Sequence, residues 1–429
     1  MLDIYAARKT RKRMLVICPK TLMVSAWASD IEKFTPYLTF SMAYAENRQE
    51  AFDLKTDIVI INTDGVKWLA KPENLGYCKQ FDHLVIDEAS AYKHHTSQRS
   101  KAAIRIKRFF THRYLMTGTP NPNSVTELWN LARIVDDGAR LGDSFFRFRN
   151  AVQQPTRIGP GEHHIRWDDK PGAAQTVQEL LADITVRHAF EDVMSHVPPN
   201  HRDMKFFTLN RKTKALYDKL ETDAILVLKD SVVNAVHAAA LRIKLLQVAS
   251  GAVYTEEGNY EVIDQQRYEL ITDLVEEREH SVVFFNWRHQ RDQLSNAFKK
   301  RGIPFAVIDG STPHEERDRI VTEYQAGKYQ TLLLHPRTGA HGLTLTRGTT
   351  TIFSSPIYEA DLLQQAVHRI YRGGQTHITN TILVCAKGTV EELVYARLDA
   401  KGAAMVDLLD LLNSKRRGQH GNSIAYVRV

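Results

Sequence analysis

Short apolar runs of four to five residues recur along the chain and alternate with longer segments of helical periodicity. The first series comprises MLVIC at 14–18, DIVII at 57–61, HLVID at 83–87 and RYLMT at 113–117. The second comprises VVFF at 282–285, FAVID at 305–309, TLLLH at 331–335, TTIFS at 350–354 and NTILV at 380–384. Nearly continuous apolar runs separated by helices are typical of buried strands in parallel sheets. The pattern therefore predicts an α/β protein with two similar lobes.

The region between the two series has a different character. It contains helical segments in which apolar residues recur at three- and four-residue spacing, for example Val232, Val236, Ala239, Ile243 and Leu246. We therefore expect lobe one over 1–200, a helical bridge or insertion over 201–260 and lobe two over 261–429. Residues 151–175 are rich in Pro, Gly and charged residues, which predicts a long surface loop.

Composition narrows the class of protein. The apolar fraction of 43% and the charged fraction of 25% are those of ordinary globular proteins, which excludes disordered and fibrous classes. No apolar stretch approaches the roughly 20 residues that span a bilayer, and the start lacks the apolar core of a secretory signal, so we expect an intracellular, cytoplasmic protein with no membrane partner. A net charge of +7 fits a polyanionic partner or, equally, a solvated basic surface.

The stretch FDHLVIDEAS at 81–90 places two carboxylates directly after an apolar run. Asp87 and Glu88 would then stand at the carboxyl end of a buried strand, where open α/β sheets bind ligands. In nucleotide hydrolysis, one such acid binds Mg²⁺ through its oxygens and the other activates the attacking water. The alternative is a strand that simply ends in two solvated acids.

Two further stretches carry candidate chemistry. The run ending in Thr117-Gly118-Thr119-Pro120 places two hydroxyls at the same sheet edge as Asp87. The alternative is a plain strand-to-loop turn, which its position one strand after the acidic pair disfavours. In LLQQAVHRIYRGGQT, the spacing of Gln365, Arg369 and Arg372 predicts one face of a helix, ended by Gly373-Gly374. Arginine binds phosphate oxygens bidentately and stays charged, which suits a phosphate site, whereas isolated arginines on a helix are more often solvated.

Taken together, the motifs resemble those of superfamily-two helicases, and most closely the Swi/Snf-type branch of DNA-dependent ATPases. The resemblance rests on their order along nearly the whole chain: CPKTL, VIDEAS, MTGTP followed by ELW, VPPN, IDGSTPHEER, RTGAHGLTLTRGTTTIF and QQAVHRIYRGGQ. It implies two RecA-like lobes with parallel sheets, ATP and Mg²⁺ as cofactors, and double-stranded DNA as the partner. Binding through the phosphate backbone would be independent of DNA sequence and sensitive to salt.

The resemblance also implies residue roles. Asp87 would be the Mg²⁺-linked acid, Glu88 the base that activates water, and Arg369 and Arg372 the arginine fingers. Four residues would contact the nucleotide or couple it to movement: Gln365, Gly339, Gly342 and Ser90. Five residues would lie on the nucleic-acid track: Pro19, Lys20, Thr117, Thr119 and Thr344. A basic set could extend that track or form a solvated helix face: Lys93, Arg99, Lys101, Arg105, Lys107 and Arg108.

The sequence departs from the family pattern at two points. Ser90 stands where relatives usually carry a larger polar residue such as His. No G-x-x-x-x-G-K-[ST] sequence, which would bind the β- and γ-phosphates, occurs in the 429 residues. We therefore expect the chain to start just after that loop, through a misassigned start, a truncation or a split gene whose upstream polypeptide supplies it. On its own the chain should then be a weak ATPase.

Two other functions remain open at this point. One is a non-catalytic nucleic-acid-binding or regulatory derivative of such an ATPase, against which the joint presence of Asp87, Glu88, Arg369 and Arg372 argues. The other is a helicase that separates strands, which the Swi/Snf-like IDGST and RGGQ sequences disfavour. The compact size favours a bacterial or viral source.

Overall fold

The computed structural model describes residues 13–118, 124–157, 165–186, 194–230, 235–255, 257–339 and 343–399. These residues form two compact units, one ending at residue 186 and the other beginning at residue 194. Each unit is built on a parallel sheet flanked by helices, which confirms the predicted α/β class. None of the helices in the described ranges combines the length and apolar character needed to cross a membrane.

The first unit contains a five-stranded parallel sheet in the order β2-β3-β1-β4-β5. Its strands are β1 (Arg13–Cys18), β2 (Phe40–Ala43), β3 (Ile58–Asn62), β4 (Phe81–Ile86) and β5 (His112–Leu115). Residues 14–18 are fully buried because β1 is central: Leu15 and Ile17 face one apolar cluster, whereas Met14, Val16 and Cys18 face the other. Burial on both faces explains the continuous apolar run. The four predicted runs are therefore strands, and the short β2 was not predicted.

The first unit also contains short helices, of which the last two pack in an apolar cluster separate from those of the sheet. They are Ser29–Phe34, Arg48–Asp53, Gly65–Leu69, Leu75–Cys78, Gln98–Ile106, Leu128–Asp136, Phe145–Val152 and Ala173–Leu181, with a π-helix at Met23–Ala28 and 3-10 turns at Ala89–Tyr92, Lys107–Phe109, Val125–Glu127 and Ala182–Ile184. Ser97 begins the 98–106 helix by accepting a hydrogen bond from the backbone N–H of Ser100, as an N-cap does.

The prediction of a long loop over 151–175 is wrong. Strands β6 (Gln153–Arg157) and β7 (Ile165–Asp169) form an antiparallel pair, and a helix begins at Ala173. Asp169, at the end of β7, anchors this pair of strands to the preceding segment. Its carboxylate accepts hydrogen bonds from the Ser124 hydroxyl at 2.8 Å and the Val125 backbone N–H at 3.0 Å. These partners lie more than 40 residues away, so local composition could not reveal the pairing.

The second unit contains a six-stranded parallel sheet in the order β12-β13-β11-β14-β15-β8. Its strands are β8 (Asn200–Phe207), β11 (Ser281–Phe284), β12 (Phe305–Ile308), β13 (Thr331–Leu334), β14 (Thr350–Phe353) and β15 (Thr379–Ala386). The five predicted runs are all strands of this sheet. Strand β8 was not predicted, and it pairs with β15 along its whole length. Strand β8 corrects the expectation that residues 201–260 are purely helical. The boundaries of the domains stay a prediction.

The remaining elements of the second unit pack around this sheet. Its helices are Arg211–Asp230, Ala235–Ala249, Gln266–Glu276, Arg288–Lys300, His314–Gln325, Pro336–Gly339, Ala360–Val367 and Val390–Asp399, and β9 (Ala252–Tyr254) pairs with β10 (Tyr260–Val262). A buried ion pair joins three of them. Arg267 donates to both carboxylate oxygens of Glu391 at 2.7 Å and to the backbone carbonyl of Ala249 at 2.9 Å.

Candidate active site

The carboxyl edge of the first sheet contains a topological switch point between β1 and β4. The chain leaves β1 towards β2 on one side of the sheet and leaves β4 towards β5 on the other, so a crevice opens between the two exits. The backbone N–H of Asp87 donates to Ile17 of β1 at 2.8 Å, and that of Ala89 donates to Met116, after β5, at 2.9 Å. Residues that follow β1, β4 and β5 are therefore neighbours at this edge.

Asp87 is half-buried in this crevice, and both of its carboxylate oxygens accept a hydrogen bond. The indole N–H of Trp27 donates to Oδ2 at 3.0 Å, and the backbone N–H of Glu88 donates to Oδ1 at 2.9 Å. Burial raises the pKa of the adjacent Cys18 thiol, and the Asp87 carboxylate raises it further, so Cys18 stays neutral. Trp27 was missed by sequence reasoning because it lies 60 residues from Asp87.

The carboxylate of Asp87 fits a magnesium ion bound together with a nucleotide. Each ionised carboxylate oxygen can accept more than one hydrogen bond or ligand bond, so both retain capacity towards the crevice. Among the described residues, no group of three or more His, Cys, Asp or Glu side chains is placed to hold a metal. Mg²⁺ is commonly held by one or two carboxylates plus substrate phosphates, which is the arrangement this edge permits.

Glu88 has an unusual backbone conformation. Its φ of 51° and ψ of 50° lie in the left-handed region, which costs a non-glycine residue roughly 1–2 kcal/mol. The 3-10 turn Ala89–Tyr92 follows at once, so the chain reverses direction directly after the acidic pair. Strained backbone that the surroundings maintain is concentrated at functional sites.

A buried network maintains this turn. Tyr92 is fully buried; its hydroxyl donates to the Thr63 carbonyl at 3.0 Å, and its own carbonyl accepts hydrogen bonds from the side chains of Ser100 at 2.8 Å and Asn130 at 2.6 Å. Asn130 follows the family-like ELW sequence, and neither it nor Tyr92 was singled out from the sequence. Their partners come from three separate elements, so no local pattern reveals the network.

Three of the six residues of the basic set form ion pairs with carboxylates. Lys93 forms a nearly buried pair with Glu127 of ELW at 2.9 Å, and Arg99 pairs with Asp64 at 3.0 Å. Lys107 pairs with Asp137 at 2.9 Å, and hydrogen bonds from Arg113 and from Lys107 hold the pKa of the Asp137 carboxyl below its ordinary value. These contacts favour a structural role for Lys93, Arg99 and Lys107.

Ser90 lies in the 3-10 turn Ala89–Tyr92 and is half-buried. Its backbone carbonyl accepts a hydrogen bond from the backbone N–H of Lys93 at 3.3 Å.

The structure brings the predicted track residues of the first unit to the same edge. Pro19 and Lys20 directly follow β1, and Thr117 follows β5 by two residues. Lys20 is exposed, and its ammonium lies 5.9 Å from the centre of the Tyr44 ring. Pro19 and Thr117 are half-buried. Thr119 lies outside the described residues.

In the second unit, both predicted arginine fingers hydrogen bond to one backbone atom. Arg369 donates to the Leu343 carbonyl at 3.2 Å and Arg372 donates to the same oxygen at 3.1 Å. The single-helix prediction is wrong, because the helix ends at Val367 and the two arginines lie in the turns beyond it. Arg369 still contacts that helix, donating to the carbonyl of Gln365, a half-buried residue, at 2.9 Å.

Gln375, the last residue of RGGQ, fixes this turn. It is buried, its amide donates to the carbonyls of Thr346 at 2.9 Å and Gly348 at 3.0 Å, and its oxygen accepts the backbone N–H groups of Thr376 and His377. Gly374 before it has a φ of 92°, which a glycine adopts without strain. Gln375 was quoted as part of a motif but not predicted as the residue that joins the two loops.

The remaining predicted coupling and track residues follow β13 in the chain. Gly339 is buried, and a Cβ there would lie 3.1 Å from the Phe284 ring, so close packing accounts for glycine. Thr344 is exposed between buried Leu343 and Leu345, which leaves its side chain accessible beside the carbonyl that Arg369 and Arg372 share. Gly342 lies outside the described residues.

Comparison with known proteins identifies the family. The sequence matches the model of the SNF2-related domain over residues 1–249 and that of the helicase conserved C-terminal domain over residues 266–374. The first match alone covers more than half of the chain, so the protein belongs to the SNF2-related family. It is a helicase-like protein of this family of ATPases, as the motif order predicts.

The chain is also similar to individual proteins. The chain is 27% identical over 432 residues to protein p41 of Acyrthosiphon pisum secondary endosymbiont phage 1, covering 96% of this chain and 91% of that protein. It is 24% identical over 410 residues to an uncharacterized ATP-dependent helicase of Mycoplasma genitalium, covering 92% of this chain but only 37% of that protein. The Sulfolobus solfataricus SWI2/SNF2 ATPase core in complex with dsDNA is 20% identical, with a TM-score of 0.41 and coverage of 98% and 86%.

Proposed function

We propose that the protein is an ATP-driven translocase of duplex DNA, which moves along the phosphate backbone without needing to separate the strands. The observation that carries the proposal is the Asp87-Glu88 pair at the switch point of the first sheet. One acid is held by two hydrogen bonds and the other is held in a left-handed conformation. Family membership supports the same reaction.

The two acids have separate tasks in this proposal. Asp87 would hold the magnesium complex of ATP at the crevice, and the ion would supply positive charge to the β- and γ-phosphates. Glu88 orients the attacking water and accepts its proton as the water oxygen bonds to the γ-phosphorus and the bond to the ADP oxygen breaks. ADP and phosphate are the products.

Arg369 and Arg372 stabilise the negative charge on the transferred phosphoryl group, since a guanidinium matches its oxygens in a fork geometry. Their shared contact with the Leu343 carbonyl links them to the loop that contains Gly339, Gly342 and Thr344. Through this loop, and through Gln365 and Ser90, a change at the nucleotide would reach the DNA track. Ser90 has a short side chain, and its half-buried place in the 3-10 turn supports a role through the backbone.

The DNA track in this proposal consists of Pro19, Lys20, Thr117, Thr119 and Thr344. Lys20 and Thr344 are exposed, and an ammonium and hydroxyls are common partners of phosphate oxygens. Lysine contacts to phosphates release counterions from the duplex, so affinity should fall steeply with salt.

Because no G-x-x-x-x-G-K-[ST] sequence occurs in the 429 residues, we also propose that an upstream polypeptide supplies the loop which binds the β- and γ-phosphates. The test is to co-express the chain with the upstream coding segment and to measure ATP hydrolysis by the purified chain and by the combination. Hydrolysis only in the combination would support the proposal. Full hydrolysis by the chain alone would contradict it.

The function itself is tested by ATP hydrolysis with and without duplex DNA, using whichever of these two preparations is active. We expect duplex DNA to stimulate hydrolysis and added salt to weaken the stimulation. If both preparations bind duplex DNA but neither hydrolyses ATP, the protein is a non-catalytic DNA-binding derivative and the proposal is wrong. A preference for single strands or RNA would contradict the assignment of duplex DNA as the track.

A further inference from the structure

Trp27 is a buried residue outside the predicted set that contacts the candidate metal-binding acid. It lies in the π-helix Met23–Ala28 after β1, is 7% exposed, and packs in the apolar cluster that includes Met14, Val16 and Cys18. Its ring is therefore held by the core of the sheet, while its N–H reaches the Asp87 carboxylate at 3.0 Å. The indole connects the rigid core directly to the crevice.

The chemistry of the indole makes this contact directional. An indole N–H is a donor only, so it requires an acceptor and cannot exchange roles with its partner. Together with the backbone N–H of Glu88 on the other oxygen, it fixes the plane of the carboxylate on both sides. A carboxylate that is hydrogen bonded through both oxygens keeps its remaining lone pairs in one orientation. In other metal-binding proteins, residues that hydrogen bond to a metal ligand orient that ligand in the same way.

We infer that Trp27 is a positioning residue that orients Asp87 towards magnesium-bound nucleotide. The inference rests on the proposed function, because it assigns to Asp87 the metal-linked role. It adds a residue that sets how well the metal complex is held, without contacting nucleotide or DNA itself.

The contact can be tested without any turnover. With ¹⁵N-indole labelling, each tryptophan of the full chain gives one N–H resonance, and Trp27→Phe identifies that of Trp27. We expect Asp87→Ala to shift the Trp27 resonance while leaving that of Trp129, whose N–H donates to the Gly142 carbonyl at 2.9 Å, in place. An unmoved Trp27 resonance would overturn the inference.

The positioning role is tested by kinetics of the hydrolysing preparation, with Trp129→Phe as the matched control because it also removes a buried indole donor. For Trp27→Phe we expect a roughly 10-fold rise in the Mg²⁺ concentration for half-maximal rate and a roughly 10-fold lower kcat, the range of effects seen for outer partners of metal ligands. The DNA concentration for half-maximal rate should not change. Trp129→Phe should leave the Mg²⁺ dependence unchanged.

A second variant separates the lost hydrogen bond from the smaller ring. Replacing Trp27 with benzothienylalanine keeps the bicyclic shape and exchanges N–H for sulfur. If this variant keeps the wild-type Mg²⁺ dependence, Trp27 acts by packing alone and the inference is wrong. If the wild-type protein fails to hydrolyse ATP in either preparation, the proposed function fails, whereas the indole spectrum still reports whether Trp27 and Asp87 are in contact.

Discussion

The two units position their candidate catalytic groups in different ways. In the first, Asp87 and Glu88 follow a central strand directly, so the sheet itself determines where their backbone lies. In the second, Arg369 and Arg372 lie beyond the end of a helix, in turns that are held by hydrogen bonds to the Leu343 carbonyl and by Gln375. Residues at strand ends are therefore placed by the backbone hydrogen bonds of the sheet, whereas the arginines depend on a few polar contacts between loops.

This difference also explains what could be predicted from the sequence. The apolar runs ending near Cys18, Ile86 and Leu115 predicted strands, and parallel strands end at a common edge, so Asp87, Glu88 and Thr117 were correctly expected together. Helical spacing was applied to Arg369 and Arg372, but the helix stops at Val367. Their convergence therefore arises from the turn geometry and was predicted for the wrong reason.

What the sequence did not reveal depends on distant partners. Strand β8 pairs with β15 almost 180 residues later, and Trp27 meets Asp87 across 60 residues. Strand β2 is only four residues long and lacks a continuous apolar run. Single-sequence periodicity reports on local burial, so pairings and hydrogen bonds of this kind do not appear in it.

The largest expected effect is that of Glu88→Gln in the first unit. Removing the base should lower ATP turnover by about 10³-fold while nucleotide binding persists, because the amide keeps the shape but cannot accept a proton. Turnover and nucleotide affinity are measured in parallel. Asp82→Asn is the control, since Asp82 lies near the opposite end of the same strand and pairs with His83. Full hydrolysis by Glu88→Gln would contradict the assignment of Glu88 as the general base.

A comparable loss is expected for Arg369→Ala in the second unit. An arginine finger contributes about 10³-fold or more to turnover, whereas duplex binding should remain largely intact. ATP hydrolysis and DNA affinity are both measured, with Arg319→Ala as a control on an exposed helix. Because the arginine turns depend on few contacts, thermal unfolding should show little change. An unaffected rate would refute the finger role.

The buried ion pair tests how the second unit is stabilised away from its arginine turns. Burial raises the pKa of Glu391 and Arg267 opposes that rise, so Arg267→Met leaves an acid buried without its partner. We expect the free energy of unfolding to fall by about 3–5 kcal/mol, with much of it recovered in Arg267→Met/Glu391→Leu. Breaking the exposed Arg319–Glu316 pair should leave the free energy of unfolding nearly unchanged. Equal losses for both pairs would contradict this account.

The smallest effect is a pH dependence from His289. Burial lowers its pKa to about 3, and its two ring nitrogens lie 2.9 Å from the Ser250 hydroxyl and 3.0 Å from the Tyr254 hydroxyl. Between about pH 6.5 and 3 the unfolded chain binds a proton there that the folded protein does not, so stability falls as pH falls. From pH 7.5 to 5 this contribution is about 2 kcal/mol.

The matching experiment compares unfolding free energies of the wild type and His289→Gln at several pH values. The variant should lose about 2 kcal/mol less than the wild type on going from pH 7.5 to 5. His94→Gln, at an exposed position in the first unit, should follow the wild type. Parallel curves for the wild type and His289→Gln would show that His289 is charged in the folded protein.

The central claim is that ATP hydrolysis moves the protein along duplex DNA. The most direct measurement is displacement of a fluorescent third strand from a DNA triplex, which reports translocation without unwinding of the duplex. The account predicts displacement by the hydrolysing preparation with Mg²⁺ and ATP, and none by Glu88→Gln or with a non-hydrolysable nucleotide. DNA-stimulated hydrolysis without displacement, or displacement that persists in Glu88→Gln, would contradict it.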